Sequence, residues 1–107
     1  MVDLDKINVV PNPYYGYHSG ELNIFERWVQ FTYLPPTATI RIYDLAGQLI
    51  RKLEKDDAST TFLQWDLSNA YELPVASGVY VYVVDTDYGQ KIGKLAVFAP
   101  NERVDIW

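Results

Sequence analysis

The stretch from Ser77 to Val84 constrains the fold of this chain most. After Gly78 it is made entirely of β-branched and aromatic residues, and the turn-like Asp85-Thr86-Asp87 follows it. In an extended segment its side chains divide between two faces, with Val79, Val81 and Val83 on one and Tyr80, Tyr82 and Val84 on the other. A strand with two apolar faces is typical of the middle of a sheet that is covered on both sides or nearly so. We therefore predict a central strand here, packed against Trp65 and Tyr43 from neighbouring strands.

Six further segments have the alternation and composition of short strands, and turn residues separate them. They are residues 6–10, 28–34, 39–45, 48–53, 62–67 and 91–98. No long stretch keeps a helical period without a proline or glycine, and the aromatic fraction of 15% favours strands. The sequence predicts a single all-β domain over residues 1–107, an immunoglobulin-like antiparallel β-sandwich of about seven strands. An eight-stranded jelly roll is the alternative.

Alternation also predicts which side chains form the core. Residues 39–45 and 48–53 are predicted to form a hairpin around the tight turn Asp44–Gly47. The sets expected to face inward are Val29, Phe31 and Tyr33 in one strand and Leu63, Trp65 and Leu67 in another. Residues 14–23 are expected to form an irregular loop, and residues 54–59 a charged loop.

The central strand carries a feature typical of immunoglobulin-like domains. Tyr80 lies two residues before Tyr82, and Tyr82 occupies the position of the second cysteine in the strand that carries a tyrosine corner. The chain has no cysteine. We therefore expect aromatic packing, in place of a disulfide, to join the two sheets.

Composition excludes several classes of function. The net charge of −5 opposes binding to a phosphate backbone, so nucleic acid is not an expected partner. The absence of cysteine excludes disulfides and thiolate metal sites. No segment reaches the roughly 18 apolar residues of a membrane span. The first residues also lack the basic start and apolar run of a signal peptide.

Catalytic and metal-binding patterns are equally weak. His18 is the only histidine, and Ser77 follows Ala76 rather than the glycine of a nucleophile elbow. Carboxylates, including the pairs Asp3/Asp5 and Asp56/Asp57, fall in predicted turns, loops and strand ends. We therefore predict no enzyme activity and no cofactor.

The segment Asp85–Gly89 has the spacing of a calcium loop. The glutamate that closes an EF-hand is absent, because Ala96 stands at that position. A hairpin turn whose aspartates accept backbone hydrogen bonds is the favoured interpretation, with calcium binding by Asp85 and Asp87 as the alternative.

An aromatic loop is the best candidate for ligand binding. Tyr14, Tyr15, Tyr17 and His18 lie close together, and exposed tyrosines stack on sugars or bind protein partners. The alternative is that these rings cover one open end of the sandwich. The first interpretation predicts an adhesion or carbohydrate- or protein-binding module, and the second leaves a structural spacer.

A set of segments in a fixed order resembles a known bacterial family. The segments are Val9–Tyr14, Val29–Pro35, Thr39–Gly47, Leu49–Arg51, Trp65–Asp66, Ala76–Tyr82 and Lys91–Val97. Together they resemble the C-terminal immunoglobulin-like sorting domain of the type IX secretion (Por) family, and are similar to the immunoglobulin-like domain of flagellar hook-capping proteins. The resemblance covers residues 7–97.

This resemblance implies a function in secretion, sorting or surface attachment. The domain would end a longer extracellular bacterial protein, exported through a signal peptide upstream of Met1. Its partners would be the outer-membrane secretion machinery or a surface partner, and the upstream domains. The recognised strand would be Lys91 to Val97, with Lys91, Gly93, Lys94, Leu95 and Val97 as site residues. The tail, residues 99–107, extends beyond the usual end of such domains.

Overall fold

The computed structural model describes residues 3–16 and 27–98. These residues form one short 3₁₀ helix, Leu4–Lys6, and eight strands. The strands are β1 (Asn8–Val10), β2 (Tyr14–Tyr15), β3 (Val29–Thr32), β4 (Thr37–Tyr43), β5 (Leu49–Asp56), β6 (Leu63–Trp65), β7 (Gly78–Thr86) and β8 (Gly89–Phe98). The predicted tail, residues 99–107, lies outside the described residues.

The strands form two sheets that face each other across one core. The smaller sheet has the order β1-β3-β6, and the larger has the order β2-β8-β7-β4-β5. The prediction of an all-β sandwich is confirmed. One pairing was not predicted: Tyr14–Tyr15, placed in a loop by the sequence, pairs in parallel with Val97 and Phe98 at the end of β8. β7 lies inside the larger sheet between β8 and β4, as its apolar sequence predicts.

The hairpin formed by β4 and β5 follows the predicted pattern. Ile40 pairs with Leu53, and Ile42 with Arg51, in antiparallel register. The Asp44 side chain accepts hydrogen bonds from the backbone N–H groups of Ala46 and Gln48 at 3.0 and 2.9 Å. Gly47 adopts a φ of 86°, a conformation that glycine takes without steric cost. The turn is therefore fixed by one aspartate and one glycine.

Aromatic side chains join the two sheets. Trp65 of β6 packs edge to face on Tyr80 of β7, with ring centroids 6.5 Å apart. Phe31 of β3 packs in the same manner on Tyr82, at 5.3 Å. The Tyr80 hydroxyl donates a hydrogen bond to the Ala76 carbonyl at 2.5 Å, which is the tyrosine-corner contact. The prediction that aromatic packing replaces a disulfide is confirmed.

Two core predictions were wrong. Tyr33 was expected to face inward, but its side chain is 63% exposed. Its φ of 59° breaks the strand alternation, and Leu34 takes the buried position instead. The prediction that β7 is covered on both faces also fails. Tyr80, Tyr82 and Val84 are buried, whereas Val79 is exposed and Val81 and Val83 are partly exposed.

The strand β5 extends into the segment predicted to be a charged loop, and it buries a lysine there. Lys55 is only 4% exposed. Its ammonium donates to the carbonyls of Pro35, Pro36 and Asp57 at 3.0, 3.3 and 2.5 Å. The three donors of one ammonium therefore meet three backbone carbonyls, which offsets the cost of burying the charge.

Candidate functional site

The last strand, β8, carries the predicted recognition residues and divides them between two environments. Leu95 and Val97 are buried in the core, at 1% and 0% exposure. Gln90, Ile92 and Lys94 alternate with them and are exposed on the outer face, which is the face of the larger sheet turned away from the smaller one. Of the predicted residues, Leu95 and Val97 therefore anchor the strand, and Lys94 is exposed to a partner. Lys91 pairs with the buried Val84 and is only partly exposed, and Gln90 and Ile92 were not predicted.

Gly93 lies opposite Tyr82 in the β7–β8 ladder. A Cβ atom at this position would lie 2.3 Å from the Tyr82 hydroxyl oxygen and 2.4 Å from its Cζ. The buried tyrosine ring thus lies directly across the glycine, so that only glycine leaves room for it. Burial also raises the pKa of the Tyr82 phenol above its ordinary value. Gly93 has a packing role in the core, and it presents no side chain to a partner.

The edge of β8 that does not pair with β7, its outer edge, is covered by a side chain over part of its length. Asn12 donates from Nδ2 to the Lys94 carbonyl at 2.8 Å and accepts from the Ala96 N–H at 3.2 Å. One amide side chain thus makes the two bonds that a paired strand residue makes. Asn12 was not predicted as a functional residue. Its signal in the sequence is the Pro11-Asn12-Pro13 motif, which stops strand pairing but leaves the asparagine side chain free to donate and accept.

Apart from Asn12, other residues contact the outer edge of β8 only near the two ends of the strand. Beyond Asn12, β2 pairs with Val97 and Phe98, and the Gly16 N–H donates to the Phe98 carbonyl at 2.8 Å. At the other end the Lys91 ammonium lies 3.4 Å from the Asp5 carbonyl. Within the described residues, no strand pairs with the outer edge of β8 before Val97.

The predicted aromatic loop is only partly described. Tyr14 is half-buried against the core, whereas Tyr15 is 61% exposed and stacks on Phe98 with centroids 5.2 Å apart and an interplanar angle of 13°. Tyr17 and His18 lie outside the described residues. The structure thus brings Tyr15 next to the end of β8, an association that the sequence did not predict.

The segment Asp85–Gly89 forms a hairpin turn. Its backbone is held by Thr86, whose hydroxyl donates to the Gly89 carbonyl at 2.8 Å and accepts from the Tyr88 N–H at 3.0 Å. The expected aspartate contacts are absent from this described segment: Asp85 pairs instead with Arg41 at 3.7 Å. Residues 3–16 and 27–98 contain no group of three or more His, Asp or Glu side chains placed to share a metal ion.

These features define an all-β sandwich domain whose last strand is exposed on one face and firmly anchored on the other. The chain belongs to the secretion system C-terminal sorting domain family, whose sequence model matches residues 8–98. The predicted family resemblance is confirmed. This family consists of sorting domains and is non-catalytic. Membership supports a role in the secretion and sorting of a larger protein, and implies a secreted or cell-surface location.

Two solved structures from Porphyromonas gingivalis are similar to the chain. PorZ, described as an essential bacterial surface component of the type IX secretion system, is 28% identical with a TM-score of 0.68. The match covers 89% of this chain and 12% of PorZ. Dimeric latent PorU is 23% identical with a TM-score of 0.60, over 88% of this chain and 9% of PorU, and shows the fold alone. No curated protein sequence matches this chain.

The one helix in residues 3–16 and 27–98, Leu4–Lys6, is too short to cross a membrane.

Proposed function

We propose that the domain directs the export of a larger protein by presenting β8 to the outer-membrane secretion machinery. Family membership supports the sorting role. The observation that supports β8 as the recognised element is its division into a buried and an exposed face. Leu95 and Val97 fix the strand in the core, so that Gln90, Ile92 and Lys94 stand at fixed positions on the outer face.

The surroundings of these three residues favour recognition of a protein. Ile92 is 62% exposed and pairs across the ladder with Val83, while Lys94 pairs with Val81. An exposed cation thus lies among partly exposed valines. An exposed apolar patch with polar groups at its rim is a common composition of protein interfaces. The open edge beside Ile92 further offers main-chain groups to a partner strand.

An export assay tests this proposal. Residues 1–107 are fused behind a signal peptide and a reporter, and the fusion is expressed in a cell with a working type IX system. We expect the reporter outside the cell. Lys94→Glu is expected to leave more of it in the periplasm, because the charge presented by β8 is reversed. Lys52→Glu, an exposed change on the remote strand β5, is the matched control.

The outcomes separate the two parts of the proposal. A wild-type fusion that stays in the periplasm overturns the sorting role. Export of the Lys94→Glu fusion at the wild-type level leaves sorting intact and overturns recognition through Lys94.

A second candidate function is adhesion through aromatic rings. The stacked and exposed pair of Tyr15 and Phe98 favours it, since such rings stack on sugars and bind protein partners. A glycan- or partner-binding assay on the variant carrying Tyr14→Ala, Tyr15→Ala and Tyr17→Ala tests it. Binding lost in this variant supports adhesion, and binding that is unchanged counts against it. A structural spacer would show neither export nor binding.

A further inference from the structure

A polar cleft lies between β5, the last strand of the larger sheet, and β6, the last strand of the smaller sheet. Its volume is about 250 Å³, and its walls include Arg27, Trp28, Arg51, Gln64, Trp65 and Asp66. Two of these residues are arginines, in a chain whose net charge is −5. Neither arginine forms an ion pair with a carboxylate of residues 3–16 or 27–98. The cleft thus concentrates positive charge in an acidic protein.

Two hydrogen bonds within the domain fix the orientation of the Arg51 side chain. Its Nη1 atom donates to the Ser68 hydroxyl and to the Asn69 carbonyl, each at 2.8 Å. These two bonds orient the planar guanidinium group. A guanidinium oriented in this manner loses little freedom when it binds an anion.

Two donor atoms of Arg27 have no acceptor among residues 3–16 and 27–98. They are its Nε and Nη2 atoms, and both are buried. A buried donor of a charged group is costly when it is unpaired, so an acceptor that reaches these atoms gains more than one bound at the surface.

The one acidic side chain in the walls is already engaged. Asp66 accepts hydrogen bonds at Oδ1 from the N–H and the hydroxyl of Ser68, at 3.2 and 2.5 Å. It is therefore tied to the same serine that holds Arg51. This contact shapes the wall of the cleft and leaves both arginines available to an external carboxylate.

The strands beside the cleft favour a carboxylate that belongs to a peptide side chain. Among the described strands, β5 and β6 each form the last strand of their sheet, so each has one unpaired edge. An extended segment can add to such an edge through main-chain hydrogen bonds. The Trp28 side chain, 41% exposed, adds an apolar surface at the same place.

We propose that this cleft binds an acidic peptide segment in extended conformation, with Arg27 and Arg51 holding a glutamate or aspartate carboxylate. A carboxylate matches the fork of donors on a guanidinium group. The proposal concerns a surface remote from β8, and it holds whether or not β8 is the recognised strand.

The test is a titration of the 107-residue chain with a defined probe. The probe is a short, acetylated and amidated peptide of alternating valine and glutamate, followed by calorimetry. The matched peptide of valine and glutamine has the same shape without the carboxylates. Sodium acetate and inorganic phosphate test whether a free anion is sufficient. We expect only the glutamate peptide to bind with a measurable affinity at low salt, and added salt to weaken it.

Variants connect the binding to the cleft. Arg27→Gln is expected to weaken the glutamate peptide by about tenfold or more, the size of one lost charge-assisted hydrogen bond. Arg51→Gln is expected to do the same, and its thermal unfolding shows whether the loss of Ser68 and Asn69 contacts disturbs the fold. Arg41→Gln is the matched control, because it removes a partly exposed arginine on the outer face that pairs with Asp85.

Three results would overturn the proposal. They are equal binding of the glutamine peptide, wild-type affinity in a folded Arg27→Gln variant, and binding of phosphate or acetate in place of the peptide. Thermal unfolding shows whether the Arg27→Gln variant is folded, and in a folded variant the second result is informative even if Arg51→Gln unfolds.

Discussion

The inner and outer faces of the β7–β8 hairpin have similar apolar sequences but different surroundings. On the inner face Tyr80, Tyr82 and Leu95 are buried under the smaller sheet. On the outer face Val79 and Ile92 are exposed, and no described element covers them. Alternation alone therefore does not separate a core face from a surface that remains open. The difference comes from the smaller sheet, which covers one side of the larger sheet only.

We expect the inner face to stabilise the hairpin and the outer face to make surface contacts. Changes on the inner face are therefore expected to reduce the free energy of unfolding, and changes on the outer face to leave it nearly the same.

Leu95→Ala is expected to lower the free energy of unfolding by about 2–5 kcal/mol, because it opens a cavity in the core. Ile92→Ala, three residues earlier on the outer face, is expected to change it by about 0.5 kcal/mol or less. Urea denaturation followed by tryptophan fluorescence measures both. Similar losses in the two variants would show that the outer face is covered as well.

Gly93→Ala is expected to lower the free energy of unfolding by about 1–3 kcal/mol, since the new methyl group overlaps the buried Tyr82 ring. The measurement is again chemical denaturation. Combining Gly93→Ala with Tyr82→Ala removes the overlap, so the glycine change is then expected to cost less than it does alone. Additive losses would contradict a contact between the two positions.

Tyr80→Phe is expected to lower the free energy of unfolding by about 1 kcal/mol, the usual net contribution of one hydrogen bond. The ring packing on Trp65 is retained, so only the bond to the Ala76 carbonyl is lost. Thermal unfolding by circular dichroism checks this value. A stability equal to that of the wild type would show that the Ala76 carbonyl finds another donor.

Alkaline pH is expected to destabilise the domain through the same inner face. Burial raises the pKa values of Tyr80 and Tyr82 in the folded state, so the unfolded chain ionises first, near the ordinary pKa of about 10. Stability is complete below that pH and decreases as pH rises toward the folded pKa values. Denaturation midpoints measured across this range are expected to fall more steeply for the wild type than for the variant carrying Tyr80→Phe and Tyr82→Phe. Equal slopes would contradict the assignment.

The sequence predicts local features of this domain well. Alternation at Ile40 and Ile42, the Asp44–Gly47 turn and the Tyr80 corner each depend on a few neighbouring residues, and each is found. The exposure of Tyr33 was not predictable, because β3 ends at Thr32 and the positive φ of Tyr33 turns its side chain outward and that of Leu34 inward.

Features that depend on distant segments were not predictable. Lys55 is buried because three carbonyls from two loops converge on it, and Asn12 bonds to the Lys94 carbonyl because β8 lies beside it. Arg27 and Arg51 meet only after β3 and β5 are placed in opposite sheets. The assignment of β8 as the recognised strand came from family resemblance, and it stays a prediction.

The buried lysine has a consequence for how the end of the β4–β5 hairpin closes. Calcium-dependent domains gather carbonyl oxygens around a metal ion taken from the medium, and they loosen when that ion is withdrawn. Here the carbonyls of Pro35, Pro36 and Asp57 are gathered around an ammonium group that is part of the chain. The cation that these carbonyls bind is therefore covalently part of the chain. A chelator cannot remove it, so the end of the hairpin stays closed without a metal ion.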